Sequence, residues 1–128
     1  MTLDSSALLA MLFGEPGYLD LVDRILEADH VRVGGPTLVE AGMVFSGRRR
    51  KSAGGQVAAL IEELGVTVVP FGDAEWQIAL DAFAKFGRGR HPAGLNFGDC
   101  LAYASAKSLG DVLLFVGNDF AKTDIVAG

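Results

Sequence analysis

The chain has 128 residues, half of them hydrophobic, with 11 basic against 16 acidic side chains and a net charge of −5. That length suits one domain, residues 1–128, around one core, and the acidic balance excludes a protein that coats nucleic acid by bulk charge. No apolar run approaches the roughly eighteen residues that span a bilayer, and Met1-Thr2-Leu3-Asp4-Ser5 lacks the basic segment of a signal peptide. The lone Cys100 excludes an internal disulfide, which fits a reducing cytoplasm.

Met1 to Asp4 reads as a short buried strand. Ser5 or Ser6 can cap a helix carrying Leu8, Leu9, Leu12 and Phe13, and Glu15-Pro16-Gly17 breaks it. Leu19, Val22, Ile25 and Leu26 form one face of a second helix. Val31-Arg32-Val33 is a second strand, followed by a helix with Pro36 in its first turn that runs to about Phe45. Arg48-Arg49-Arg50-Lys51 and Gly54-Gly55 form or flank a turn. Val57, Leu60, Ile61 and Leu64 make another helical face, ended by Gly65.

Val66 to Val69 is a third strand, stopped by Pro70. Trp76, Ala79, Leu80, Phe83 and Phe86 share one helical stripe. Gly87 to Gly98 is glycine-rich and basic and reads as an exposed loop. A helix opening at Asp99 carries Leu101, Ala102, Ser105 and Leu109, with Gly110 as its stop. Val112 to Val116 is a fourth strand, and Ile125-Val126 is a candidate short fifth. Alternating strands and helices predict an α/β fold with a central parallel sheet covered on both faces.

In such sheets ligands bind beyond the carboxyl ends of the strands. Asp4 follows the first strand and Asp119 the fourth, while Glu40 and Asp99 sit on helices. Each has an ordinary reading alone: Asp4 and Asp119 as caps, Asp99 as an acid in a first helical turn, Glu40 as an exposed helical side chain. Glu40 has mostly apolar neighbours, Leu38, Val39, Ala41, Gly42, Met43 and Val44, and a buried carboxylate needs a partner. Four carboxylates at one sheet edge repel unless a cation joins them, and oxygen ligands suit Mg²⁺ or Mn²⁺.

Ser6 is a candidate contact to substrate phosphate or to a metal-bound water, and Asn96 a candidate to orient Asp99 or contact substrate, against readings as a cap and a turn residue. Asp124 is an extra candidate ligand. Cys100 has no adjacent base, and His30 and His91 show no zinc spacing. The glycines form neither a Walker motif nor a dinucleotide fingerprint.

Leu3-Asp4-Ser5-Ser6-Ala7-Leu8, Glu40, Gly94-Leu95-Asn96-Phe97-Gly98-Asp99-Cys100-Leu101-Ala102-Tyr103 and Leu114-Phe115-Val116-Gly117-Asn118-Asp119-Phe120, closed by Thr123-Asp124-Ile125, resemble the PIN-domain family, in particular its VapC-like toxins. The resemblance runs nearly full length. It implies an α/β/α sandwich with four to five parallel strands and a Mg²⁺- or Mn²⁺-dependent endoribonuclease. Asp4, Glu40, Asp99 and Asp119 match the family's acidic quartet. It also implies a homodimer silenced by a VapB-like antitoxin that inserts a C-terminal segment near the site. Arg88, Arg90 and His91 are candidate RNA-phosphate contacts, and Arg48 to Lys51 a second phosphate patch or an antitoxin-facing surface.

Two rival classes share parts of this pattern. A receiver domain or phosphoaspartate hydrolase wants acids where Val69-Pro70-Phe71 and Ser6 stand. A catalytically silent PIN-like RNA- or protein-binding module keeps the fold without turnover.

Overall fold

The computed structural model describes residues 1–50 and 53–128. Lys51, the end of the basic cluster, lies outside them. In chain order the elements are β1 (Thr2–Leu3), α1 (Ser5–Phe13), α2 (Tyr18–Glu27), β2 (Arg32–Gly34) and α3 (Gly35–Arg49). They continue as α4 (Gly54–Glu63), β3 (Thr67–Val69), α5 (Asp73–Phe86), α6 (Phe97–Leu109) and β4 (Leu113–Leu114). The four strands form one parallel sheet in the order β3-β2-β1-β4. The chain steps outward from β1 to β3 and then crosses back to place β4 on the other side of β1. This reversal opens a crevice at the carboxyl ends of β1 and β4.

Two cores flank the sheet, as expected for an α/β/α sandwich. One packs Leu8, Leu21, Ile25 and Ala41 of α1, α2 and α3 on Leu3 and Val33. The other packs Ala82 of α5 and Ala102, Tyr103 and Ala106 of α6 with Leu113 and Phe120. Burial of these apolar side chains, at roughly 25 cal/mol per Å² removed from water, drives the assembly. Asp111 ties the strand starts together, accepting from Thr2 Oγ1 at 3.0 Å and pairing with Arg32 at 3.3 Å.

Several expectations are corrected. The cap of α1 is Asp4 itself, which accepts from the Ser6 N–H, rather than Ser5 or Ser6. Helix α3 continues past Phe45 to Arg49, so Arg48 and Arg49 lie in its last turn and flank the connection to α4. Their guanidiniums rest on Phe13 and Phe45 at 5.0–5.9 Å, and cations suit a helix C-terminus. Gly54 and Gly55 open α4 and so flank that connection from its other side.

Ile125-Val126 makes no fifth strand: only Ala127 reaches bridging register with Leu113. The segment from Gly87 to Gly98 is not wholly exposed. Leu95 is fully buried and bridges to Gly87, and Phe97 already belongs to α6. The apolar Leu95 anchors an otherwise polar loop. Along α5, Ala82 faces the core, whereas Trp76, Leu80 and Phe83 stay substantially exposed.

Candidate active site

The four sequence-selected acids come from four parts of the chain to the carboxyl end of the sheet. Asp4 leaves β1 and caps α1, Glu40 rides on α3 after β2, Asp99 lies in the first turn of α6, and Asp119 follows β4. Because α6 precedes the parallel strand β4, it runs against the strand direction and starts at this edge.

Asp4 is buried. Its Oδ2 accepts from the Ser6 N–H at 3.1 Å and from the Ser6 hydroxyl at 2.6 Å. The Ser6 hydroxyl in turn accepts from the Val116 N–H at 2.9 Å, which links the end of β4 to Asp4. The other oxygen, Oδ1, is buried with no hydrogen-bond partner. Burial pushes the Asp4 carboxyl above its ordinary range; the Ser6 and Ser5 hydrogen bonds oppose this, and the Glu40 charge adds to it.

Asp99 is also buried. It shares a reciprocal cap with Asn96: Asn96 Oδ1 accepts from the Asp99 N–H and Asp99 Oδ2 accepts from the Asn96 N–H. Burial pushes its carboxyl up to about 6, against the Asn96 hydrogen bond and with help from the Asp119, Asp4 and Glu40 charges. Those couplings put all four acids within electrostatic reach of one point. Glu40 is half-buried, and its Oε1 is buried without a partner. Asp119 is exposed.

Among the described residues, no three His, Cys, Asp or Glu side chains already stand as a metal-ligand set. The carboxylates are gathered but not closed around a point, as expected of poorly screened like charges. The donors fit a hard divalent cation: carboxylate oxygens, two of them buried and unpartnered. An unsatisfied buried anion is costly, and a cation removes that cost.

The other candidates divide. Ser6 and Asn96 spend their side chains on Asp4 and Asp99. Arg88 and Arg90 are exposed, and the Arg90 guanidinium lies 5.4 Å from the Phe83 ring centre. Phe83 lines an apolar groove of about 620 Å³ with Trp76, Leu80, Phe97 and Leu101. Phe97 and Leu101 also border a recess of about 530 Å³ that contains Glu40. Phe97 and Leu101 thus stand between the groove and the recess that holds Glu40.

Asp124 already has partners on α6. It accepts from the Tyr103 hydroxyl at 2.6 Å and pairs with Lys107 at 3.1 Å, and these contacts pull its carboxyl below the ordinary range. Cys100 is buried, with its thiol pushed up to about 11 by burial and the nearby Asp99 charge, so it is a poor nucleophile.

Two features escaped the sequence reading. The Ser6–Val116 bond joins residues 110 apart, and no local pattern announces it. Gly98 was visible as part of a motif, but its closeness to Glu40 depends on how α3 packs against α6.

The family model of the PIN domain matches residues 1–126, and this chain belongs to the PIN-domain family. Ribonuclease VapC28 of Mycobacterium tuberculosis is 39% identical over 126 residues, covering 98% of this chain and 95% of that protein. Ribonuclease VapC30 of the same species is 37% identical over the same length, with the same coverage. Among solved structures, the sarcin–ricin-loop-cleaving toxin VapC20 of M. tuberculosis superposes with a TM-score of 0.78 at 16% identity, covering 99% of this chain and 97% of that one. A toxin–antitoxin complex from Klebsiella pneumoniae gives 0.73 at 13% identity, covering 99% and 95%. These two likenesses speak to the fold.

Proposed function

We propose that this chain is a Mg²⁺- or Mn²⁺-dependent endoribonuclease, the toxin of a VapBC-type pair. The observation that carries the reading is the pair of buried, unpartnered carboxylate oxygens, Asp4 Oδ1 and Glu40 Oε1, in the shared negative field of Asp99. The ribonuclease names of relatives near 39% identity support the choice of RNA. The K. pneumoniae complex supports an antitoxin partner.

Asp4, Glu40, Asp99 and Asp119 would hold the cation. The chemistry a bound divalent cation supplies is charge stabilisation at the scissile phosphate and a lowered pKa for an attacking water. Without metal, burial raises the Asp99 carboxyl to about 6, so a cation and a proton compete for it. Ser6 orients Asp4 and Asn96 orients Asp99, while Arg88 and Arg90 contact RNA phosphates. The exposed Val39, Met43 and Phe97 fit an apolar surface that is covered in a homodimer or by an antitoxin.

The test is cleavage of RNA by purified protein. Products with 5′-phosphate and 3′-hydroxyl ends, formed with Mg²⁺ and abolished by EDTA, are expected. Full activity in excess EDTA overturns the metal reading, and cyclic 2′,3′-phosphate ends would assign the attack to the ribose hydroxyl.

A further inference from the structure

Gly98 lies buried in the first turn of α6, one residue before Asp99. A methyl group on its Cα would sit 2.7 Å from both Cδ and Oε1 of Glu40, and closer still to Oε2. Even weak carbon–oxygen contacts stay beyond about 3.3 Å. The whole Glu40 carboxylate thus occupies space that any other residue would fill with a side chain.

The glycine serves no other evident purpose. Its φ is not positive, so the backbone would accept alanine. Glycine is also a poorer helix former than alanine. What the absent side chain does provide is room. Glu40 uses it to approach Asp4 and Asp99, whose carboxyls both feel its charge. The atoms a Cβ would meet are the free end of a long side chain, which can swing away, so the fold should survive substitution.

We propose that Gly98 is a positioning residue: its missing side chain admits the Glu40 carboxylate to the acid cluster beside Asp99. The functional consequence rests on the metal reading above; the packing relationship does not.

The experiment compares Gly98→Ala, Glu40→Ala and the double variant. Without metal, Gly98→Ala should melt at or above the wild-type temperature. Its Mg²⁺ affinity, by calorimetric titration, should be weaker by on the order of tenfold. In the Glu40→Ala background the same substitution should change Mg²⁺ affinity little, because no carboxylate remains to be displaced. Wild-type affinity in Gly98→Ala, or an equal loss with and without Glu40, overturns the proposal.

If Gly98→Ala does not fold, the double variant decides: folding there supports the steric pairing, and failure there too overturns it. The metal-free wild type supplies an independent readout, a nuclear Overhauser contact between the Glu40 γ-protons and the Gly98 α-protons. Its absence overturns the proposal whatever the metal does. Absence of saturable Mg²⁺ binding by wild type, with that contact present, sinks the metal reading and leaves the packing proposal standing.

Discussion

Asn96 and Asp99 hold each other across the first turn of α6, the Asp99 N–H donating to Asn96 Oδ1 at 2.9 Å and the Asn96 N–H to Asp99 Oδ2 at 3.0 Å. The same carboxylate thus caps a helix and faces the acid cluster. Asn96→Ala should destabilise the protein by about 1 kcal/mol, a usual cost for a lost cap. It should also weaken Mg²⁺ binding, because Asp99 loses the partner that fixes its backbone. Urea melts and Mg²⁺ titrations check both; a stability loss with unchanged Mg²⁺ affinity would confine Asn96 to capping.

Ser6 joins Asp4 to Val116. Ser6→Ala removes the hydroxyl donor to Asp4, though not the backbone N–H, and leaves the Val116 N–H without its acceptor, so a loss of about 1 kcal/mol is expected. The Asp4 carboxyl should rise further, since the Ser6 hydrogen bond now holds it down. Carboxyl carbon shifts followed through a pH titration would report this. A fall in the Asp4 pKa would contradict the assigned role.

Asp99 gives the metal-free protein a signed pH dependence. Its carboxyl rises from 3.8 to about 6 on folding, and that of Asp4 moves the same way. The folded state therefore binds the proton more tightly than the unfolded chain. This contribution to stability is fully present below 3.8 and is lost as pH rises through about 6. Mg²⁺ competes with that proton, so its affinity should climb over the same window. Asp99→Asn should flatten the metal-free slope. Thermal melts in EDTA across this range test it, and an identical slope in the variant would assign the effect elsewhere.

Asp119 is exposed, whereas Asp4 and Asp99 are buried. Charges near solvent are better screened and interact more weakly. Asp119→Asn should reduce Mg²⁺ affinity less than Asp4→Asn or Asp99→Asn. Parallel titrations of the three folded variants check the ranking. A loss at Asp119 equal to that at Asp99 would mean that metal draws this loop inward.

Tyr103 and Lys107 of α6 both hold Asp124. Tyr103→Phe removes a 2.6 Å hydrogen bond to a carboxylate and should cost about 1 kcal/mol, the partial exposure of Asp124 holding it to that level. Mg²⁺ affinity should be unchanged. A clear loss of Mg²⁺ binding would instead return Asp124 to the set of candidate ligands.

In cells, induction of the chain alone should arrest growth, and co-expression of a cognate antitoxin should relieve the arrest. Folded Asp4→Asn and Asp99→Asn variants should be harmless. Undiminished arrest by both would remove these acids from the reaction.

The alternation of β-branched strands with amphipathic helices was legible because both periodicities are local. The parallel sheet and its two covered faces follow from that alternation. The four acids could be singled out because each stands at a strand end, at a helix start or among apolar neighbours, and the fold brings them to one edge of the sheet. Other outcomes needed the packed chain. The Trp76–Phe83 stripe has the period of a core helix face, yet it lines an open groove, because a period shows which residues share a face and not what covers it. Asp119 and Asp99 look equivalent as isolated acids, but burial separates them. Gly98 resembles any helix-start glycine until α3 brings Glu40 against it. Residues far apart in sequence acquire a distance only when the sheet order and helix packing are set, and the chemistry of this site depends on those distances.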